Sequence, residues 1–266
     1  MERRPTMGNL FSGSGAWELA AKMCDIDVLF EAEIEPFPVA LEAKRFPEAL
    51  QLGDVCDING AEIPPVDILT NSSPCQDLSV AGRRAGLEGE RSGLFAEAVR
   101  ITKEMRNATD GTRPRFWAWE NVPGAFSSNR GEDFRTVLEE VARIADPTAS
   151  IPLPKKWGYA GVVDGEGWQI AWRVMDAQFF GVAQRRRRVY LVADFRGGGA
   201  AEILFEREGV SWNFAEITRT WEDTSRSLGE RISNAGGIIR SGVRSAEDSV
   251  ADGKITHTPQ HPSSVL

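Results

Sequence analysis

The sequence predicts an α/β protein in which helices flank a mixed, mostly parallel sheet. A short strand at residues 8–11, a glycine-rich turn at 12–16 and an amphipathic helix at 17–24 form the opening unit of nucleotide-binding α/β folds. Farther along, the apolar run 66–70 ends abruptly in small polar residues and Pro74. This pattern is typical of a buried parallel strand that ends at the ligand-binding edge of its sheet.

Length and composition leave the function class open. The 266 residues suffice for one large α/β domain or for a domain with a smaller appendage, and 41% hydrophobic and 26% charged residues are ordinary globular values. We find neither a signal-peptide core nor an apolar run of roughly 18 residues, so no membrane partner is expected. The net charge of −8 does not by itself indicate nucleic acid, but basic residues cluster at 83–84, 155–156 and 185–188.

The cysteines indicate a reducing, cytoplasmic setting and one candidate nucleophile. Cys24, Cys56 and Cys75 are widely spaced and form no CxxC pair, which disfavours disulfides and a zinc site. Cys75 follows strand 66–70, where ligands of open α/β sheets gather, and Pro74 fixes the approach of the chain. The alternative is that Cys75 is a small buried hydrophobe.

Acidic residues end the next two predicted strands. Glu33 closes strand 28–33, about 20 residues after the glycine turn, where an acid often binds ribose hydroxyls. A helix is predicted over 36–46, and Asp54 follows a third short strand. The turn, Glu33 and Asp54 therefore converge on one crevice. The alternatives are a tight turn and solvated surface acids.

The middle of the chain contains a predicted loop and a further acidic residue at a strand end. The glycine- and arginine-rich segment 76–93 is predicted as a lid or binding loop, with disorder as the alternative, and a helix follows over 94–105. Strand 115–122 carries Glu120, which is placed to donate or share a proton unless it merely caps a turn. A helix is predicted over 134–144 and a loop or excursion over 146–167.

An arginine run lies between two further predicted strands, 168–174 and 189–193. Strand-like alternation over 184–188 sends Gln184, Arg186 and Arg188 to one face, toward an anionic ligand, and the other two arginines to solvent. The alternative is a solvated charge run. Residues 206–266 are poor in periodic apolar residues, and we expect an extended or disordered linker there.

These motifs together resemble the catalytic part of the DNA (cytosine-5)-methyltransferase family. They come in the family's order: 9–15 (NLFSGSG), 31–36 (EAEIEP), 53–54 (GD), 74–76 (PCQ), 91–95 (RSGLF), 120–122 (ENV) and 184–188 (QRRRR). The resemblance implies a Rossmann-like S-adenosylmethionine-dependent fold and a covalent mechanism without a metal. Cys75 would add to cytosine C6, Glu120 would hold the N3 edge, and Arg188 with Arg186 would orient the base and favour the thiolate.

The resemblance also implies the binding residues. The S-adenosylmethionine site would comprise Phe11, Gly13, Ser14, Gly15, Glu33, Ile34, Asp54, Val55, Pro74 and Leu94. Glu33 would bind the ribose, Ile34 would pack on adenine, and Asp54 would accept from the adenine amino group. In double-stranded DNA the target cytosine must flip out of the helix. The nucleic-acid contacts would be Gln76, Ser79, Arg83 and Gln184.

One departure from the family pattern shapes the expected organisation. The family continues into a target-recognition domain and a Gly-Asn-Ser-Val-like motif, and we find neither in the sequence. We expect a catalytic domain at 1–205 and, at 206–266, an extended or disordered linker or the start of a recognition region. Three explanations of this departure stay open: a truncated gene product, a half-enzyme completed by a second chain that supplies recognition, and a decayed remnant. The alternatives are an RNA cytosine-C5 methyltransferase, a non-catalytic module that binds cofactor or DNA, and, more distantly, a dinucleotide oxidoreductase.

Overall fold

The computed structural model describes residues 3–74, 93–181, 183–205 and 243–244. Its nine strands form one sheet in the order β3-β2-β1-β4-β5-β8-β7-β6-β9. The strands are β1 (Thr6–Leu10), β2 (Asp27–Ala32), β3 (Leu50–Gln51), β4 (Ile68–Asn71), β5 (Phe116–Asn121), β6 (Ala160–Gly165), β7 (Trp168–Asp176), β8 (Arg187–Asp194) and β9 (Val243–Arg244). The helices are α1 (Ala16–Met23), α2 (Pro36–Arg45), α3 (Leu94–Ala108), α4 (Glu132–Ala142) and α5 (Ala200–Leu204).

The sheet is mixed, as the sequence predicts. Strands β1 to β5 are parallel, whereas β8, β7, β6 and β9 are added to β5 by antiparallel pairing. Strand order reverses between β1 and β4, because β2 and β3 extend the sheet to one side and β4 and β5 to the other. Ligands of open α/β sheets bind at such a switch point, beyond the carboxyl ends of the strands.

Helices cover both faces, and side-chain alternation along β5 decides which residue meets which helix. Trp117 and Trp119 point to one face, where the Phe95 ring of α3 lies 6.2 and 6.1 Å from them, centroid to centroid. On the same face α4 packs Phe134 edge-on against Trp172 of β7. Glu120 lies on the opposite face of the sheet, which α1, α2 and α5 cover.

Two sequence-based expectations need correction. The predicted excursion 146–167 contains strand β6, which pairs with β7 as a hairpin. Its glycine-rich sequence carries a weak strand signal, but Gly161 and Gly165 leave room for tryptophan rings that would lie 2.2 and 2.4 Å from an added Cβ. The predicted strand-like alternation over 184–188 is also wrong in part. Strand β8 begins only at Arg187, so residues 184–186 do not belong to it.

Little of the predicted linker is described. Within 206–266 the structure describes only the two residues of β9, which pair with Val162 and Val163. Among the helices of the described ranges, none has the length and apolar character that a membrane crossing requires.

Candidate active site

The crevice at the switch point begins with the turn after β1. Phe11, Gly13 and Gly15 adopt left-handed backbone conformations with φ of 60°, 59° and 80°. Glycine adopts this region freely, whereas Phe11 is strained there, as residues at binding sites often are. A Cβ on Gly13 would meet nothing within 4 Å, so the space beside the turn is open. Ser14 is exposed beside it.

Glu33 ties this turn to the end of β2. Its Oε2 accepts a hydrogen bond from the Gly13 backbone N–H at 2.9 Å, and its Oε1 accepts from Ile34 and Glu35 at 2.8 and 3.0 Å. Three backbone donors therefore fix the carboxylate at the rim of the crevice. Its remaining lone pairs can accept hydroxyl donors from a ligand. The side chain of Ile34, 64% exposed, lies next to it in the chain.

The third wall of the crevice follows β3. The Asp54 carboxylate caps a short helical turn by accepting from the Cys56 N–H at 2.9 Å, and Val55 beside it is buried. Arg100 of α3 fixes this turn, because its guanidinium donates to the carbonyls of Val55 and Ile58 at 3.1 and 2.8 Å. At the start of the same helix Leu94 packs against the core.

Hydrogen bonds from two side chains of β5 hold the chain that follows β4. Ser73 is 2% exposed, and its hydroxyl accepts from the Trp119 indole N–H at 3.2 Å while its carbonyl accepts from the Asn121 amide at 3.0 Å. The exposed Pro74 follows directly. The chain is thus held in a defined place immediately before Cys75.

An ion pair lies at the neighbouring strand ends. The Nε of Arg188 is 2.8 Å from Oε1 of Glu120, and the two side chains are 22% and 20% exposed. Glu120 pairs with Tyr190 across β5 and β8. Burial, together with the charge of Glu120, raises the pKa of Tyr190. Trp17 of α1 packs edge-on against Tyr190, with ring centroids 6.1 Å apart.

The structure brings Arg188 to Glu120 but does not do the same for the rest of the arginine run. Gln184 and Arg186 are exposed and precede β8, and the Arg186 backbone N–H donates to Oδ1 of Asp176 at 3.0 Å. Arg187 lies over the Tyr159 ring, 4.6 Å from its centroid. The predicted common face therefore forms only in part. Gln184 and Arg186 precede the strand, but the charges of both Arg186 and Arg188 act on Tyr190, where they oppose the rise of its pKa that burial causes.

Several predicted site residues lie outside the described residues. They are Cys75, Gln76, Ser79 and Arg83. Conversely, the sequence reasoning missed the clamp made by Trp119 and Asn121, and missed Trp17, whose indole N–H donates to the Ser72 hydroxyl at 3.2 Å. The signal was available for Asn121, because strand alternation sends it to the face opposite Glu120.

A group of three buried glutamates lies behind the glycine turn. Glu18, Glu31 and Glu42 are fully buried, and one carboxylate oxygen of each lies within 4.8 Å of the others. Glu18 accepts from the Asn9 amide at 2.7 Å. Burial raises the pKa of Glu18 to about 7 and, with the charge of Glu42, raises the pKa of Glu31 to about 8. The group therefore retains protons at neutral pH.

These glutamates make stability depend on pH. Because the folded chain holds protons that the unfolded chain releases above its ordinary glutamate pKa of 4.5, the free energy of unfolding falls between about pH 4.5 and 8. Glu31→Gln removes one such proton site. We expect it to flatten the decline and to raise the melting temperature at pH 8 by about 2–4 °C or more, with little change at pH 5.

Thermal unfolding at several pH values checks this expectation. The carboxyls whose pKa is lowered titrate below the pH range in which these glutamates act. Burial opposes ionisation of Asp67 and Asp194, but hydrogen bonds from Arg3 and Arg115 hold their pKa below the usual value. Glu48→Gln, at an exposed position, is the matched control. A Glu31→Gln variant with the wild-type pH profile would contradict the expectation.

Sequence comparisons agree with the motif order. A family model for C-5 cytosine-specific DNA methylases matches residues 6–145 and 161–246. The chain is 37% identical over 238 residues to a protein of Escherichia phage P1 named "DNA N-6-adenine-methyltransferase", covering 78% of the chain and 31% of that protein. It is 30% identical to the "Orphan methyltransferase M.SPRI" of Bacillus phage SPR, covering 77% of the chain and 40% of that protein. The chain thus spans less than half of these curated relatives.

A structural comparison supports the fold. The crystal structure of S. pombe Dnmt2 methyltransferase matches 80% of the chain and 58% of that protein with a TM-score of 0.53 and 18% sequence identity. At this identity the match shows a shared fold and nothing about the reaction.

Proposed function

Since the chain belongs to the family of C-5 cytosine-specific DNA methylases, as its sequence motifs predict, we propose that it transfers a methyl group from S-adenosylmethionine to C5 of cytosine in double-stranded DNA. The observation that carries the proposal is the Arg188–Glu120 ion pair at 2.8 Å, on the strand beside the clamped end of β4. A nucleophile from the end of β4 and a carboxylate from β5 can then act on opposite parts of one pyrimidine ring.

The residue types match the chemistry. Cytosine C5 is a weak nucleophile, so the Cys75 thiolate is proposed to form a bond to C6, which moves the electrons of the C5=C6 double bond toward C5. Glu120 holds the N3 and amino edge of the base and gives N3 a proton as negative charge develops there. Arg188 holds the Glu120 carboxyl group in place. After C5 gains the methyl group, the C5 proton is lost to solvent water, N3 returns its proton to Glu120, and the double bond re-forms as the thiolate leaves.

The crevice fits S-adenosylmethionine, which supplies the methyl group when bound. The open space beside Gly13 admits the methionine part, and the fixed Glu33 carboxylate offers free lone pairs to two ribose hydroxyls. Asp54 and Ile34 flank the place of the adenine. We assign Phe11, Gly13, Ser14, Gly15, Val55, Pro74 and Leu94 to the same site as wall residues.

The assignment of Glu33 predicts a loss of cofactor affinity on mutation. Glu33→Ala removes charged hydrogen bonds to the ribose and also frees the Gly13 N–H, so we expect S-adenosylmethionine to bind roughly 10- to 100-fold more weakly. Calorimetric titration measures the Kd. Glu35→Ala, at an exposed neighbouring position, should leave the Kd unchanged. Equal affinity of the Glu33→Ala protein and the wild type would remove Glu33 from the site.

The domain organisation is proposed on the same basis. Residues 1–205 are proposed to form the catalytic domain, and 206–266 to connect it to target recognition. The family match through residue 246 and the pairing of β9 with β6 support a connection that stays close to the sheet.

Adenine N6 methylation is a second candidate, because the phage P1 relative carries that activity in its name. An exocyclic amine attacks a methyl group with its own lone pair and needs no cysteine. The Pro74-Cys75 motif and the Glu120–Arg188 pair therefore favour cytosine.

Product analysis separates the candidates. The chain is incubated with methyl-labelled S-adenosylmethionine and unmethylated duplex DNA of mixed sequence, and the digested nucleosides are separated. We expect label in 5-methylcytosine. Label in N6-methyladenine would overturn the proposal, and preferential transfer to competing RNA would favour the RNA methyltransferase alternative.

A further inference from the structure

Five exposed cations gather at the carboxyl edge of β5, the edge that also carries Glu120. They are Arg130, Lys155, Lys156, Arg185 and Arg187, and we call them the basic rim. Arg130 follows β5, the lysines precede β6, Arg185 precedes β8, and Arg187 begins it. Because β6 and β8 run in the opposite direction to β5, their beginnings lie at the edge where β5 ends.

Specific contacts join the three segments of the rim. The indole N–H of the buried Trp157 donates to the carbonyl of Gly131 at 2.8 Å, so the chain next to Lys156 is fixed to the chain next to Arg130. Two residues after Trp157, the Tyr159 ring lies 4.6 Å below the Arg187 guanidinium. These two contacts therefore join the three segments that carry the rim.

None of the five side chains of the rim makes an ion pair within the described part of the chain, whereas Arg100, Arg115, Arg135 and Arg143 elsewhere are all paired with carboxylates. Burial opposes ionisation of the nearby Asp176, but hydrogen bonds from Gln178 and the Arg186 backbone, with a smaller effect of the Arg187 charge, hold its pKa below the usual value. A chain of net charge −8 thus keeps unpaired cations on the edge that holds its site.

We propose that the basic rim binds the phosphate backbone of duplex DNA beside the flipped cytosine. The inference rests on the proposed function. Exposed lysines and arginines bind phosphates without reading sequence and release counterions as they do so. The rim would position the duplex on the side of β5 away from the cofactor crevice.

The double variant Lys155→Gln/Lys156→Gln tests the rim. Duplex binding is measured from 50 to 200 mM salt, and KM for DNA and kcat are measured in the methylation assay. If both lysines contact phosphates, the slope of log K against log salt falls by about 1.8, near 0.9 per phosphate. We expect KM for DNA to rise roughly 10-fold. We expect kcat and the Kd for S-adenosylmethionine to stay unchanged.

The matched control is Arg4→Gln/Lys22→Gln. Arg4 precedes β1 and Lys22 lies in the last turn of α1, so both exposed residues are at the opposite edge of the sheet, and the change in net charge is the same. Equal effects of the two double variants would overturn the inference, as would an unchanged salt slope in the rim variant. Competition by acidic polypeptide as strong as by duplex DNA would also overturn it. If the wild type transfers methyl groups to DNA and only the rim effect is missing, the proposed function stands; if the wild type neither binds nor methylates DNA, both fail.

Discussion

Replacing Cys75 by serine is expected to abolish methyl transfer, lowering kcat by roughly three orders of magnitude or more. A serine hydroxyl is far less acidic than a thiol, so it does not add to C6 and C5 stays unactivated. Cofactor affinity should persist, because the crevice is built by the turn after β1, by Glu33 and by the turn at Asp54. Rates from labelled S-adenosylmethionine and a parallel cofactor titration measure both effects.

The control for this variant is Cys24→Ser. Cys24 is an exposed free cysteine just after α1 and has no place in the proposed site. It should keep wild-type activity. A Cys75→Ser protein that still turns over at a rate near that of the wild type would exclude the covalent mechanism.

Replacing Glu120 by glutamine is expected to lower kcat by about 10²- to 10⁴-fold. Glutamine keeps the size of the side chain but cannot give a proton to N3, and it leaves the Arg188 guanidinium without its partner at 2.8 Å. Since Glu120 lies outside the cofactor crevice, the Kd for S-adenosylmethionine should not change. Single-turnover rates separate the chemical step from DNA binding.

Glu140→Gln is the matched control for Glu120→Gln. It also breaks an ion pair with an arginine, Arg143 at 3.1 Å, and a longer one with Lys103 of α3 at 3.7 Å, but both lie away from the strand ends of the site. An exposed pair contributes at most about 1 kcal/mol, so activity and stability should change little. If Glu120→Gln raises only KM for DNA and leaves kcat unchanged, Glu120 binds the substrate without assisting the reaction.

The parallel half of the fold could be predicted because local signals agree there with the tertiary structure. The strand, glycine turn and helix at the N-terminus, and the apolar strand β4, each carry their own pattern. The hairpin β6–β7 could not, since β6 is specified by tryptophans that pack over its glycines. Sequence periodicity does not report such contacts.

The candidate site, like the fold, could be predicted only in part. The motifs predict Glu33, Asp54, Glu120 and Arg188 at strand ends, and the structure places them there. The orientation of the arginine run could not be predicted, because the position at which β8 begins depends on pairing with β5 and β7. The burial of Glu31 inside a strand depends on the packing of α1 and α2 and has no sequence signal.

Covalent trapping tests the central claim most directly. The chain is mixed with S-adenosylmethionine and duplex DNA carrying 5-fluorocytosine, and the products are separated on a denaturing gel. Fluorine at C5 blocks the final elimination, so the proposed mechanism predicts a stable protein–DNA adduct that requires S-adenosylmethionine and is absent with Cys75→Ser. No adduct from a preparation that binds both S-adenosylmethionine and DNA would contradict covalent cytosine-C5 methylation by this chain.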